Sequence, residues 1–262
     1  MKKLIRNEIV KYVAEYADNR HITCKWGVPV VGFADANHEY IKGLKSHIGQ
    51  SHATPEDSLE NASIIISYFV PFTKELAETN GADGRTASEE WARAYEETNA
   101  MFGELNRHII EVLAEHGYKG TVSEAASRFS YETLMSDWSQ RHIAYGAGLG
   151  TFGVNNMLIT EKGCCGRYNS VITDLDVQAD GPMEEDLCIY KNSGGCGICV
   201  RNCPAGALSL KGWEYYDRQA CYEICKENAE IYEDLGSSYS SNVGSEVCGK
   251  CITGSPCAFR DK

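Results

Sequence analysis

The stretch SGGCGICVRNCPAGAL, residues 193–208, carries cysteines at a spacing that binds iron. A bacterial iron–sulfur run reads C-x2-C-x2-C-x3-C-P. Cys196, Cys199, Cys203 and Pro204 keep the last three cysteines in step, while Ser193 stands where the first would be. Cys188 substitutes for it across a longer loop. A second segment, VCGKCITGSPCAFR, adds Cys248, Cys251 and Cys257, and DRQACYEIC between them adds Cys221 and Cys225. In such runs the cysteine before proline points to the other cluster, so the sets cross over. One 4Fe-4S cluster takes Cys188, Cys196, Cys199 and Cys257. A second takes Cys203, Cys221, Cys248 and Cys251. Cys24, Cys164, Cys165 and Cys225 are left over. Cys164-Cys165 reads as an extra ligand pair, a redox thiol or two buried small residues. Adjacent side chains on a strand diverge, which favours the last.

The alternative metal is zinc, with Cys196-x2-Cys199 and Cys248-x2-Cys251 forming a tetrahedral site. Against it, Cys203-Pro204 has no role in a zinc ribbon, the two pairs are far apart, and the remaining thiols go unused. Nine of the twelve cysteines fall in residues 188–262. Packing does not concentrate thiols this way; metal ligation does.

Those cysteines need a scaffold, and 262 residues can supply one. No run of 18 apolar residues occurs, so no membrane span is expected. The start, MKKLIRNEIVKYVAEYADNR, lacks the apolar core of a secretory signal and reads as a surface helix with a stripe at Leu4, Ile5, Ile9, Tyr12, Val13 and Tyr16. A cytoplasmic location is expected, where twelve thiols are not a disulfide framework. Net charge is −12 and the acidic stretch PMEEDL adjoins the cysteines. Without a basic stripe, nucleic acid is disfavoured as a partner.

Residues 1–175 read as an α/β (α+β) domain and 176–262 as a ferredoxin-like appendage holding the two clusters. NASIIISYFVPF, 61–72, is a buried strand; 86–117 is a long helix capped by Thr86 and closed by Gly117. A second helix is expected over Thr133–Tyr145, followed by a glycine-rich turn and strand in AGLGTFGVNNMLIT. RYNSVITDL reads as another strand. Arg141-His142 precedes the glycine turn. Histidine is a suitable proton donor near neutral pH; a helix-end histidine against the C-terminal dipole is the competing reading. No nicotinamide fingerprint, Walker motif, HExxH or GxSxG is present.

The order TPEDSLENASIIISYFVPF, WARAYEETNAMFGEL, SDWSQRHIAYGAGLGTFGVNNMLIT and then the cysteine region resembles the epoxyqueuosine reductase and reductive dehalogenase group. The resemblance implies a reductase with two 4Fe-4S clusters and a base-off cobalamin. It assigns the cofactor to Gly148, Gly150, Gly153 and Asn155, and catalysis to Arg141, with His142 beside it. Departures are specific. The family's acid falls on Leu134, leaving Asp137, one turn away on the expected helix, as a substitute carboxylate. The family's lysine in the glycine motif is Val154, its histidine is missing around AYEETNAMF, and its helical repeat extension is not seen. Transfer-RNA activity is therefore not carried over.

Two functions remain. In the first, electrons pass through the clusters to a cobalamin, or directly to a small-molecule substrate. In the second, the chain is an electron-transfer protein that docks a partner. Either needs an electron donor protein of ferredoxin or flavodoxin type.

Overall fold

The computed structural model describes residues 1–20, 22, 24–81, 84–235 and 244–260. Its framework is α1 (Lys2–Arg20), β1 (Val30–Asp35), β2 (Ile64–Pro71), α2 (Glu89–Glu115), β3 (Gly120–Thr121), α3 (Gln140–Gly146), β4 (Gly166–Thr173) and α4 (Arg218–Ile231). The four strands form one sheet in the order β1-β2-β4-β3, with every neighbouring pair antiparallel. Helix and strand are mixed as expected, and the antiparallel pairing makes the architecture α+β, with no parallel strand pair among the described residues.

β2 is central and buried along its whole length, and its alternation builds two layers. Ile64, Ile66, Tyr68 and Val70 pack with Ile5, Ile9 and Val13 of α1 and with Met101, Leu105 and Ile109 of α2. Ile65 and Phe69 turn the other way, toward Ile143 and Ala144 of α3 and toward Trp138. The expected stripe on α1 is the face that is buried, with Leu4 and Tyr12 at its half-buried edges.

α2 has 27 residues, about 40 Å at 1.5 Å per residue. That length lets one helix serve two cores. Its C-terminal half covers the sheet. Its N-terminal turns place Trp91, Ala92 and Ala94 in a cluster with Cys164, Cys165, Leu187, Cys188, Cys199, Val247 and Cys257. Backbone bonds from Cys164 N to Cys257 O (2.9 Å) and from Cys165 N to Ala258 O (3.1 Å) stitch the same region. The stretches before and after residue 175 thus share a hydrophobic core.

Two local expectations are corrected. Ser88, not Thr86, caps α2: its hydroxyl accepts from Trp91 N at 3.1 Å. The helix expected over 133–145 begins only at Gln140. Residues 129–136 form a hairpin, Phe129–Ser130 against Met135–Ser136, with Leu134 at φ +53°. Serines divert the backbone there: Ser130 Oγ accepts from Thr133 N, and Ser136 Oγ from Trp138 N, both at 3.2 Å. Leu134 and Asp137 therefore do not share a helical face.

Candidate functional site

The thiols line two neighbouring cavities. Cys188, Cys196, Cys199 and Cys257 surround a small one, together with Gly153, Val154 and Asn155. Cys203, Cys221, Cys225, Cys248 and Cys251 lie on one wall of a cavity of about 520 Å³. Asn155 lines both, and its Nδ2 donates to Cys251 O at 3.4 Å. The two sets expected from spacing line different cavities, with Cys225 joining the second. Among the described residues, no three His, Cys, Asp or Glu side chains form a group that could hold a metal ion.

Local structure explains the positions. Cys196 and Cys199 flank the start of a single helical turn, Ile198–Arg201. Cys203 is held by Ala207 N donating to its sulfur at 3.3 Å. Cys221 and Cys225 stand one turn apart on α4, capped by Asp217. Gly249 (φ +78°) turns the chain between Cys248 and Cys251, and any Cβ there would collide with the Trp91 indole. Burial pushes Cys199 and Cys248 up to about 11 and raises Cys251 as well. Two thiols move down instead. Cys221 is lowered by hydrogen bonds from Cys225 and from Tyr216, and Cys257 by hydrogen bonds from Cys164 and Ser255. Metal binding would have to deprotonate the raised thiols, which couples their ligation to pH.

Of the remaining expected residues, Arg141 and Asn155 reach the larger cavity. Arg141 Nη1 donates to Asn156 O at 2.7 Å, and its charge acts on Cys221 and Tyr216. Asp137 is not on the cavity wall; it pairs with Arg128 at 3.4 Å. His142 is packed against Phe152, and Ser139 Oγ lies 2.7 Å from its Nδ1. Burial, with Arg141 adding, lowers its pKa to about 3. It is then neutral at pH 7, so it does not serve there as the imidazolium acid that the sequence suggested.

The glycine turn serves the fold. Gly148 (φ +71°) passes so close to Gly181 O that a Cβ would collide with it, and Gly150 abuts Ile159 O in the same way. Gly153 faces the small four-cysteine cavity. Neither Gly148 nor Gly150 lines the 520 Å³ cavity.

That cavity also has walls the sequence reading missed. Tyr95 and Asn99 come from α2, Arg128 and Phe129 from the hairpin region, Trp138 from the segment before α3, and Arg167 and Tyr168 from β4. A signal was available: Tyr95 and Asn99 are polar groups four residues apart on the buried side of a long helix. Glu246 is the one carboxylate among the described lining residues, and it accepts from Tyr222 at 2.8 Å.

No family model matches the chain. In sequence it is similar to epoxyqueuosine reductase of Bacillus cereus, 23% identical over 253 residues, covering 88% of this chain and 61% of that protein. The chain spans about three fifths of the length of that curated relative. In fold it is similar to epoxyqueuosine reductase from Bacillus subtilis, solved with a catalytic loop swung out of the active site. The TM-score is 0.56 at 19% identity, over 96% of this chain and 66% of that one. An epoxyqueuosine reductase solved with an epoxyqueuosine-modified tRNA stem loop gives 0.50 at 20% identity, over 98% and 70%. The similarity to epoxyqueuosine reductases that the motifs imply is thus found both in sequence and in fold.

Proposed function

We propose that this chain is an iron–sulfur oxidoreductase that delivers single electrons to a ligand in the 520 Å³ cavity. The observation that carries this reading is that nine thiols line two adjoining cavities, four on one and five on the other, and that the second is of small-molecule size. Cys188, Cys196, Cys199 and Cys257 would hold one 4Fe-4S cluster. Cys203, Cys221, Cys248 and Cys251 would hold the other, at the wall where the ligand sits. Asn155 lies between them, so the electron path is short. The domain reading, 1–175 for the cavity scaffold and 176–262 for the clusters, is part of this proposal.

Cobalamin is the cofactor that the resemblance implies. When bound it would supply a strongly reducing nucleophilic centre. Arg141, Asn155 and Asn156 are the wall residues next to the second thiol set that would hold it. A smaller substrate reduced directly by the second cluster uses the same wall. Arg141 would hold negative charge near Cys221, and the aromatic and amide walls would orient the ligand and exclude water.

The donor would be a separate protein of ferredoxin or flavodoxin type. Leu210 packs on Gly197, between Cys196 and Cys199, and the nearby Trp213 and Tyr215 are 66% and 59% exposed. This is where such a donor would reach the first cluster. The same surface would serve the second reading, an electron carrier without its own substrate. The cavity with its built polar wall favours the first.

Anaerobic reconstitution with iron and sulfide tests the reading. The expected product is brown and carries about eight irons per chain. Cys203→Ala and Cys196→Ala should each lose about half. A colourless protein whose metal is zinc would overturn it. Adding hydroxocobalamin before gel filtration separates the two routes: a stoichiometric corrin spectrum on the protein peak means a cobalamin enzyme, and its absence means direct reduction or a carrier.

A further inference from the structure

The cavity that the proposed reading treats as the electron terminus has three arginines on its wall, and they are not equivalent. Arg128 is paired with Asp137. Arg141 faces the thiol set, where its charge acts on Cys221 and Tyr216. Arg167 has neither kind of partner among the described residues. It is half-buried on β4, and its Nη2 donates to Asn99 Oδ1 at 2.9 Å. Its guanidinium carbon lies 3.7 Å from the centroid of the Tyr95 ring.

Tyr95 and Asn99 sit one turn apart on α2, so one helix face holds the guanidinium from two directions. A ring under one face and an acceptor at one edge fix the fork while leaving its other N–H groups to be used. Asn99 is 3% exposed, and its Nδ2 has no hydrogen-bond partner. The amide orientation is set by Arg167, since a flipped amide would oppose nitrogen to nitrogen. Both residues line the same cavity.

We infer that Arg167, held in place by Asn99 and Tyr95, forms an anion-recognition subsite, and that the substrate is a small, flat organic anion. Carboxylate and phosphate share the required chemistry, since both are acceptors that suit a guanidinium fork. The cavity's size suits a ligand of drug-like dimensions, and Trp138, Tyr168 and Phe129 give it flat apolar walls. A protein of net charge −12 that concentrates arginines in one concave site draws anions there and not to its outer surface. This inference rests on the proposed reading only for the fate of the anion; recognition itself needs no cluster.

The test is calorimetric titration of the reconstituted protein with benzoate, phenyl phosphate and benzamide. One or both anions should bind, and benzamide, the neutral isostere of benzoate, should bind at least tenfold more weakly. The stronger anion identifies which acid the natural ligand carries. Arg167→Gln should weaken the anion at least tenfold, Arg167→Lys should restore part of it, and Asn99→Leu should weaken it in a protein that retains Arg167. Iron content and the electron paramagnetic resonance spectrum of each variant should match those of the parent protein. Equal binding of benzoate and benzamide, absence of anion binding, or binding indifferent to Arg167 would overturn the inference. If the protein lacks iron yet binds anions through Arg167, the subsite stands and the redox reading fails. The converse result separates them the other way.

Discussion

Two histidines beside the cavity act on stability and not on proton supply. His52 Nε2 accepts from Ser139 N at 3.0 Å, so its Nδ1 carries the proton and donates to Ala53 O at 2.8 Å. Together with His142 it fixes the start of α3, which carries Arg141. Burial lowers both histidines. A histidine whose folded pKa lies below its unfolded value of about 6.5 is neutral in the fold. Its contribution is present above about pH 6.5 and is lost as pH falls from there toward the folded value, about 3 for His142. Thermal melts between about pH 7 and 5 should therefore show stability falling with acid, and less steeply in His142→Phe. An unchanged slope would remove His142 as its source. His52→Ala strands the Ser139 N–H and should cost about 1–3 kcal/mol, measured by denaturant unfolding at pH 7.

At the scale of elements, α2 connects the sheet to the cysteine region, and single changes at its N-terminal end should be felt in both. Ser88→Ala removes the cap and should cost about 1 kcal/mol. Gly249→Ala meets both the left-handed backbone and the Trp91 indole. It should empty the site of Cys203, Cys221, Cys248 and Cys251 while sparing the other, so iron per chain should fall by about half; full iron would contradict that placement. The apolar elements were legible in the sequence. The stripe Ile5, Ile9, Val13 buries the one face its helical spacing creates, and the largely apolar run Ile64–Pro71 is buried on both faces of the sheet. Which thiols would share a cavity was legible from their spacing along the chain, except that Cys225, left over in the sequence, lines the larger one as well. The hairpin at 129–136 was not, because it depends on serine hydroxyls competing with the helix for backbone groups. The roles of Gly148 and Gly150 were not legible either: a close approach to a ligand and a close approach to the chain's own carbonyls leave the same residue in the sequence. Arg167 and Asn99 escaped because their meeting joins a strand to a helix 68 residues away.

For the whole molecule, charge and topology set the expectations. A surface of net charge −12 releases few counterions on binding a polyanion. A mobility-shift assay with a tRNA stem loop at physiological salt should show no complex at micromolar protein, in contrast to what the stem-loop structure shows for its protein. A shift that vanishes in Arg167→Gln would instead extend the anion subsite to nucleic acid. Among the described residues, no helix is long and apolar enough to cross a membrane. The shared core of Phe72, Trp91, Cys164, Leu187 and Val247 predicts one cooperative unfolding transition, seen at the same denaturant concentration by tryptophan fluorescence and by cluster absorbance. Two separated transitions would show that the scaffold and the cysteine region stand independently.

The pairing of Cys164 with Cys257 through their backbones has a consequence for biosynthesis. A ribosome working from the N-terminus releases Cys164 long before its partner. Cys188, Cys196, Cys199 and Cys257, which line the small cavity, thus cannot come together until residue 257 has emerged. On the proposed reading, iron loading of that set must then follow synthesis of residue 257, after every strand of the sheet has been made. Starving cells of iron should accordingly yield a collapsed, thiol-rich precursor that accepts metal later, and not a protein degraded on the ribosome.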